Sequence, residues 1–117
     1  MDEVLVERVL RAVEQVPPGR VVSYGDVAAL VGIGPRHVGN VLATWGGSVP
    51  WWRVTNVAGV LPPELLARAL PHWDEEGIAL RPDRRGCRIA AYRADLDRLA
   101  VDHARATAGL DEDDGAG

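Results

Sequence analysis

Lysine is missing: all 13 basic residues of this 117-residue chain are arginine. That suits planar, forked recognition of phosphates or bases, and a genomic base-composition bias would account for it equally well. Cysteine is nearly missing. The single thiol, Cys87, excludes an internal disulfide and a multi-cysteine zinc site and points to a reducing, cytoplasmic location. No apolar run approaches the ~20 residues that cross a bilayer. The acidic start Met1-Asp2-Glu3 has no apolar stretch behind it, so no secretory signal is expected. His37, His72 and His103 show no metal-ligand spacing with one another or with paired acids. Neither a metal nor a cofactor is expected. No internal repeat is visible.

What is present suits one globular domain with a modest core: 47% of the residues are hydrophobic, in a chain of single-domain length. The net charge of −4 argues at first against a nucleic-acid partner. Its distribution argues otherwise. Between Pro18 and Val60 stand Arg20, Arg36 and Arg53 against Asp26 alone, while the acids collect at Asp74-Glu75-Glu76 and Asp111-Glu112-Asp113-Asp114. So few basic residues on one stretch predict weak non-specific DNA affinity and a shallow salt dependence.

Val4, Val6, Val9, Leu10 and Val13 recur at helical spacing, and Pro17-Pro18-Gly19 stops that helix. Arg20-Val21-Val22 is a short extended segment. Ser23 then caps a second helix, with Asp26 completing a capping box and Val27, Leu30 and Val31 facing inward. After Gly32-Ile33-Gly34, Pro35 suits the first position of a third helix, whose Val38, Val41, Leu42 and Trp45 are expected in the core. Its outer face reads Arg36, Gly39, Asn40, Ala43. A glycine there costs ~1 kcal/mol relative to alanine, which close approach of a DNA backbone or of a neighbouring loop would justify equally. Gly46-Gly47-Ser48 breaks the helix. The next loop, Val49-Pro50-Trp51-Trp52-Arg53-Val54, ends in a short Val54-Thr55 strand. Leu61-Pro62-Pro63 opens a further helix with Leu65, Leu66, Ala69 and Leu70 inward, which Pro71 should kink or end. Trp73 is expected in the core and 78–87 to be loop. Residues 90–108 carry Tyr92, Leu96, Leu99, Val101 and Ala104 in a mostly helical pattern.

The helix–glycine turn–helix alone is a weak sign of DNA binding. Three motifs in order are far more specific: Val21-Val22-Ser23-Tyr24-Gly25-Asp26-Val27-Ala28, then Pro35-Arg36-His37-Val38-Gly39, then Pro50-Trp51-Trp52-Arg53-Val54. Together they resemble the DNA-binding domain of the O6-alkylguanine-DNA alkyltransferases. Val60-Leu61-Pro62-Pro63 resembles the alkyltransferase-like branch, which lacks the nucleophilic cysteine. The resemblance covers roughly residues 3–80. In the family the third motif reads Pro-Cys-His-Arg-Val, and its cysteine accepts the alkyl group. Here Trp51 stands at the cysteine position and Trp52 at the histidine position.

The resemblance implies a mainly α, small winged helix-turn-helix-like domain with a minor β element, of the alkyltransferase C-terminal domain type. It spans residues 1–109, and an acidic, disordered tail follows at 110–117. The implied DNA-contacting residues are Tyr24, Arg36, Gly39, Asn40 and Ser23. Tyr24 would crowd the phosphate 3′ to the damaged base, and Arg36 would enter the stack and fill the gap, with the second helix of the motif in the minor groove. Pro50, Trp51, Trp52, Arg53 and Val54 would form the lesion-pocket loop, with Trp51 against the alkyl group. Arg53 is expected to tie the loop down through carbonyl bonds. The chemistry agrees: a modified base must leave the duplex to be inspected, an arginine offers a stacking plane and several donors for the hole, and base–aromatic contact is worth ~1–3 kcal/mol.

The resemblance therefore implies a non-enzymatic sensor that binds O6-alkylguanine in double-stranded DNA by base flipping and flags it for nucleotide excision repair proteins. It would be a cytoplasmic monomer, nucleoid-associated when bound. The family's asparagine hinge is missing, since Ala43-Thr44-Trp45-Gly46-Gly47-Ser48 stands in its place. Two rivals remain open. A helix-turn-helix transcriptional regulator would read undamaged DNA through Arg36, His37 and Asn40, normally as a dimer. An alkyltransferase would use Cys87, whose neighbours Arg84, Arg85 and Arg88 are placed to lower a thiol pKa.

Overall fold

In the computed structural model, residues 2–110 are described. The expected acidic tail, apart from Leu110, lies outside the described residues. The order is α1 (Glu3–Glu14), β1 (Val22–Ser23), α2 (Tyr24–Val31), α3 (Pro35–Trp45), β2 (Val54–Thr55), α4 (Pro63–Glu76), α5 (Ile89–Tyr92) and α6 (Leu96–Thr107). Two single 3₁₀ turns, Gly46–Ser48 and Trp51–Arg53, fill the loop between α3 and β2. This is a mainly helical, winged helix-turn-helix-like domain with one two-stranded sheet.

Local chemistry sets the boundaries. Asp2 caps α1, accepting from the Val4 amide at 2.9 Å. Ser23 and Asp26 form the reciprocal box at the start of α2: the Asp26 amide donates to Ser23 Oγ at 3.0 Å, and the Ser23 amide donates to Asp26 Oδ2 at 2.8 Å. Such a cap is worth ~1 kcal/mol. Gly32, at φ 88°, closes α2 in the left-handed conformation that glycine adopts without penalty. Pro35 then opens α3.

β1 and β2 pair in parallel, Val22 with Val54 and Ser23 with Thr55. This short ladder ties the start of α2 to the end of the tryptophan loop. It runs between two cores. One packs α1, α2, α3 and α6 around Val9, Val13, Val27, Val38 and Val41, with Val22 and Val54. The other gathers Val21, Leu61, Ala69, Trp73, Ile78 and Cys87, and Trp51, Trp52 and Leu65 lean on it.

Four details depart from the sequence pattern. Trp45 is 51% exposed, because α3 ends there and the buried Gly46 is the residue that turns inward. Pro71 does not end α4, which runs on to Glu76. Pro71 and Ala67, whose carbonyl the missing amide would have taken, both lie on the exposed side. Leu70 is exposed as well. The helix expected over 90–108 is two helices. Val21 donates to the Tyr92 carbonyl and accepts from the Ala94 amide, which holds 92–94 extended before Asp95 caps α6. The inward residues of α6 are then Leu99 and His103, while Val101, Leu96 and Ala104 face out. The ring of His103 donates from Nε2 to the Arg8 carbonyl at 2.9 Å.

Candidate nucleic-acid interface

α3 is the second helix of the helix-turn-helix, and its outer face fronts two clefts. The first, about 650 Å³, is lined by Tyr24, Arg36, Gly39, Asn40, Asn56 and Arg85 among others. The second, about 370 Å³, is lined by Tyr24, Gly39, Ala43, Trp51, Leu65 and Arg68 among others. Tyr24 and Gly39 line both, so they form the ridge between them. The two clefts are contiguous, and the smaller one has an aromatic wall.

Tyr24 is half-buried on that ridge. Burial pushes its phenol above the ordinary value, so the hydroxyl is a donor at neutral pH. It makes no hydrogen bond to protein among the described residues. Arg36 is exposed in the larger cleft, and its guanidinium likewise pairs with nothing among the described residues. A cation in the first turn of a helix opposes the helix dipole, so no local gain accounts for it. A Cβ built on Gly39 meets nothing within 4 Å. Close packing against a neighbouring loop therefore does not explain this glycine. Asn40 is exposed and reaches the first cleft. Ser23 does not join this surface. It is 5% exposed, and its hydroxyl and amide are both committed to the capping box.

The tryptophan loop divides its labour. Trp51 forms the wall of the smaller cleft. Its ring stands edge-on to Trp52 with centroids 5.8 Å apart, and the Arg68 guanidinium lies 5.0 Å from its ring centre. Trp52, Arg53 and Val54 do not line the cleft, contrary to the pocket set expected from the resemblance, and neither does Pro50. Val54 is fully buried in β2. Pro50 precedes the 3₁₀ turn that carries Trp51. Trp52 stacks on His72 at 3.6 Å, while its carbonyl accepts from Trp73 Nε1 at 2.8 Å.

One carboxylate ties these parts together. Glu76 accepts from Trp52 Nε1 at 2.7 Å, from Arg53 Nε at 3.0 Å and Nη2 at 2.9 Å, and from the Gly19 amide at 2.8 Å. Arg53 also donates from Nη1 to the Val16 carbonyl at 2.9 Å, the carbonyl tie expected of it. Both side chains of this ion pair are nearly buried. Burial pushes the Glu76 carboxyl upward. The hydrogen bonds from Arg53, Gly19 and Trp52 and the Arg53 charge outweigh that, and it lies below its ordinary value. Trp51 is thus presented by a loop clamped on both sides of the domain.

Cys87 belongs to neither cleft. It is completely buried in the second core, and desolvation pushes its thiol up to about 11. The neighbouring arginines do not produce a thiolate, contrary to the rival reading in which they activate it.

Sequence reasoning missed three residues here. Arg68 shares a face of α4 with Leu65, three residues before it, but the apolar stripe drew attention to Leu65 alone. Glu76 reads as one of an acidic run, with nothing local to single it out. Arg85 reaches the first cleft through a tertiary bridge between Val60 and Gly86, which no local pattern encodes.

Residues 5–76 match the family described as the 6-O-methylguanine DNA methyltransferase, DNA binding domain. A "DNA base-flipping protein" of Vibrio parahaemolyticus is 38% identical over 84 residues, covering 67% of this chain and 83% of that protein. The Escherichia coli protein of the same name is 42% identical over 59 residues, and the aligned part is 47% of this chain and 46% of that protein. Among solved structures, Schizosaccharomyces pombe Atl1 in complex with damaged DNA containing O6-carboxymethylguanine superposes with a TM-score of 0.70 at 25% identity, over 81% of this chain and 98% of that one. A second structure of the S. pombe protein with DNA gives 0.60 at 27% identity, over 85% and 95%. The chain belongs to the family of the 6-O-methylguanine DNA methyltransferase DNA-binding domain and, within it, is an alkyltransferase-like protein.

Proposed function

We propose that this chain is a non-enzymatic sensor of O6-alkylguanine in duplex DNA, which flips the base into the smaller cleft and holds it for nucleotide excision repair proteins. The observation that carries this reading is the cleft itself, an aromatic-walled cavity lined by Trp51, the residue that the motif resemblance aligns with the family's alkyl-accepting cysteine. An indole carbon offers no thiolate to the alkyl group, and the chain's only thiol is buried elsewhere with its proton held. The cleft volume suits a purine with a small adduct. In this reading Tyr24, on the ridge, crowds a phosphate, and Arg36, in the adjoining cleft, fills the vacated stack. Unstacking costs least for a poorly paired base, which favours the lesion before any contact to the alkyl group is made. The relatives bear the name of base-flipping proteins and a structural relative holds alkylated DNA, in agreement with this reading.

The test is Trp51→Ala on duplexes identical except for O6-methylguanine or guanine, with 2-aminopurine beside the target as a flipping probe. The affinity gap between the two duplexes narrows by about tenfold, or ~1.4 kcal/mol. A gap equal to that of the wild type would show that Trp51 does not read the lesion and would overturn this assignment of the cleft.

A further inference from the structure

The segment after α4 carries Arg81, Arg84, Arg85 and Arg88, and it lies beyond residues 5–76 that match the family. It is built as a rigid appendage on the residues that follow β2. The Cys87 amide donates to the Gly59 carbonyl at 2.9 Å and the Leu61 amide to the Arg85 carbonyl at 3.4 Å. Gly59 and Gly86 pass so closely that a Cβ on either would stand 2.2 or 2.1 Å from backbone oxygen of the opposite strand. Arg81 braces the turn, donating from Nη1 to the Ala58 carbonyl at 2.7 Å and from Nη2 to Asp83 at 2.9 Å. Asp83 in turn accepts from the Arg85 amide at 3.0 Å.

The result is a fixed backbone at Arg85 and an exposed side chain that lines the same cleft as Arg36 and Tyr24. No acid lines that cleft, so its charges are the two guanidiniums. Neither guanidinium pairs with a carboxylate among the described residues. The Arg85 charge is felt by Asp83, which lies outside the cleft lining; within the cleft the two arginines have no acid between them, and an anion there would be attracted to both.

We propose that Arg85 binds a backbone phosphate of the duplex at the cleft it shares with Arg36, which makes residues 80–87 a second DNA-contacting element. This rests on the duplex-binding reading above, and on no part of the lesion pocket. Arg85 is outside the smaller cleft, so its contact positions the duplex without reporting on the lesion.

The salt dependence of binding tests it. Anisotropy titrations across a range of salt concentrations use wild type, Arg85→Ala, Arg85→Lys and, as a control of equal charge change, the exposed Arg105→Ala on α6. Each protein is measured on a guanine duplex and on its O6-methylguanine partner. Arg85→Ala lowers the slope of log affinity against log salt by about 0.9 on both duplexes, leaves their affinity ratio unchanged, and is rescued in slope by lysine. Arg105→Ala leaves the slope as in wild type. An unchanged slope in Arg85→Ala would overturn the phosphate contact, and so would a loss confined to the lesion duplex. Because the guanine duplex alone reports the slope, absence of lesion preference in wild type would sink the sensor reading without touching this one.

Discussion

Replacing Glu76 with alanine removes one acceptor from four donors at once: Trp52 Nε1, Arg53 Nε and Nη2, and the Gly19 amide. The Arg53 side chain, left without that partner, is only 12% exposed in the wild-type fold. Breaking a buried pair by removing one partner costs ~3–5 kcal/mol, because a charge stays buried without compensation. Partial access of water to Arg53 argues for the lower end, about 3 kcal/mol. In a domain of this size that is a fall in Tm of roughly 12 °C, and a comparable loss by urea denaturation. The pH dependence follows from the sign of the Glu76 shift. Its folded value is depressed below the ordinary 4.5. Its stabilisation is therefore complete above the unfolded value and is lost as pH falls through the folded one. Against Glu76→Gln, the stability advantage of the wild type should be constant near neutrality and should shrink below about pH 4.5. Trp51 hangs from the clamped loop, so lesion discrimination should fall in Glu76→Ala even where the protein stays folded. A variant within 1 kcal/mol of wild type, with discrimination intact, would refute the clamp.

Other substitutions separate packing from binding. Gly39→Ala has open space for its methyl group and should stabilise the free protein by ~0.5–1 kcal/mol through helix propensity, while weakening DNA binding. Equal affinity in anisotropy would remove the partner-approach explanation. Arg36→Ala should weaken lesion binding about tenfold, ~1.4 kcal/mol, and Tyr24→Ala should abolish the 2-aminopurine flipping signal. A full signal would strip Tyr24 of its role. Cys87 should resist thiol reagents at pH 7 in the folded protein and react on unfolding, since burial holds its proton to about 11. Fast native labelling would revive the cysteine as a reactive group. Gly59→Ala, at φ +82° with a carbonyl 2.2 Å from the added carbon, should destabilise by ~2–4 kcal/mol.

The helix-turn-helix was legible because its signals are local: the Ser23 box, the left-handed Gly32, Pro35 at the first turn of α3. The lining of the two clefts was legible where a motif named it, at Tyr24, Arg36, Gly39, Asn40 and Trp51. It was not legible in the rest of the tryptophan loop. The resemblance put Trp52 in the pocket beside Trp51, yet the tight turn sends its ring away from the cleft to stack on His72. Ser23 stands beside Tyr24, but its cap hydrogen bonds draw it inward. Trp45 fits the α3 stripe and is exposed because the helix ends under it. The Glu76 clamp and the Arg85 loop depend on contacts between distant segments, and periodicity carries no record of those.

The most direct measurement is the affinity of the wild-type protein for one duplex carrying O6-methylguanine and for its guanine twin, followed by intact-mass analysis of the protein. Lesion sensing without transfer predicts at least tenfold tighter binding to the methylated duplex and an unchanged protein mass. Equal affinities, or a protein heavier by one methyl group, would contradict it.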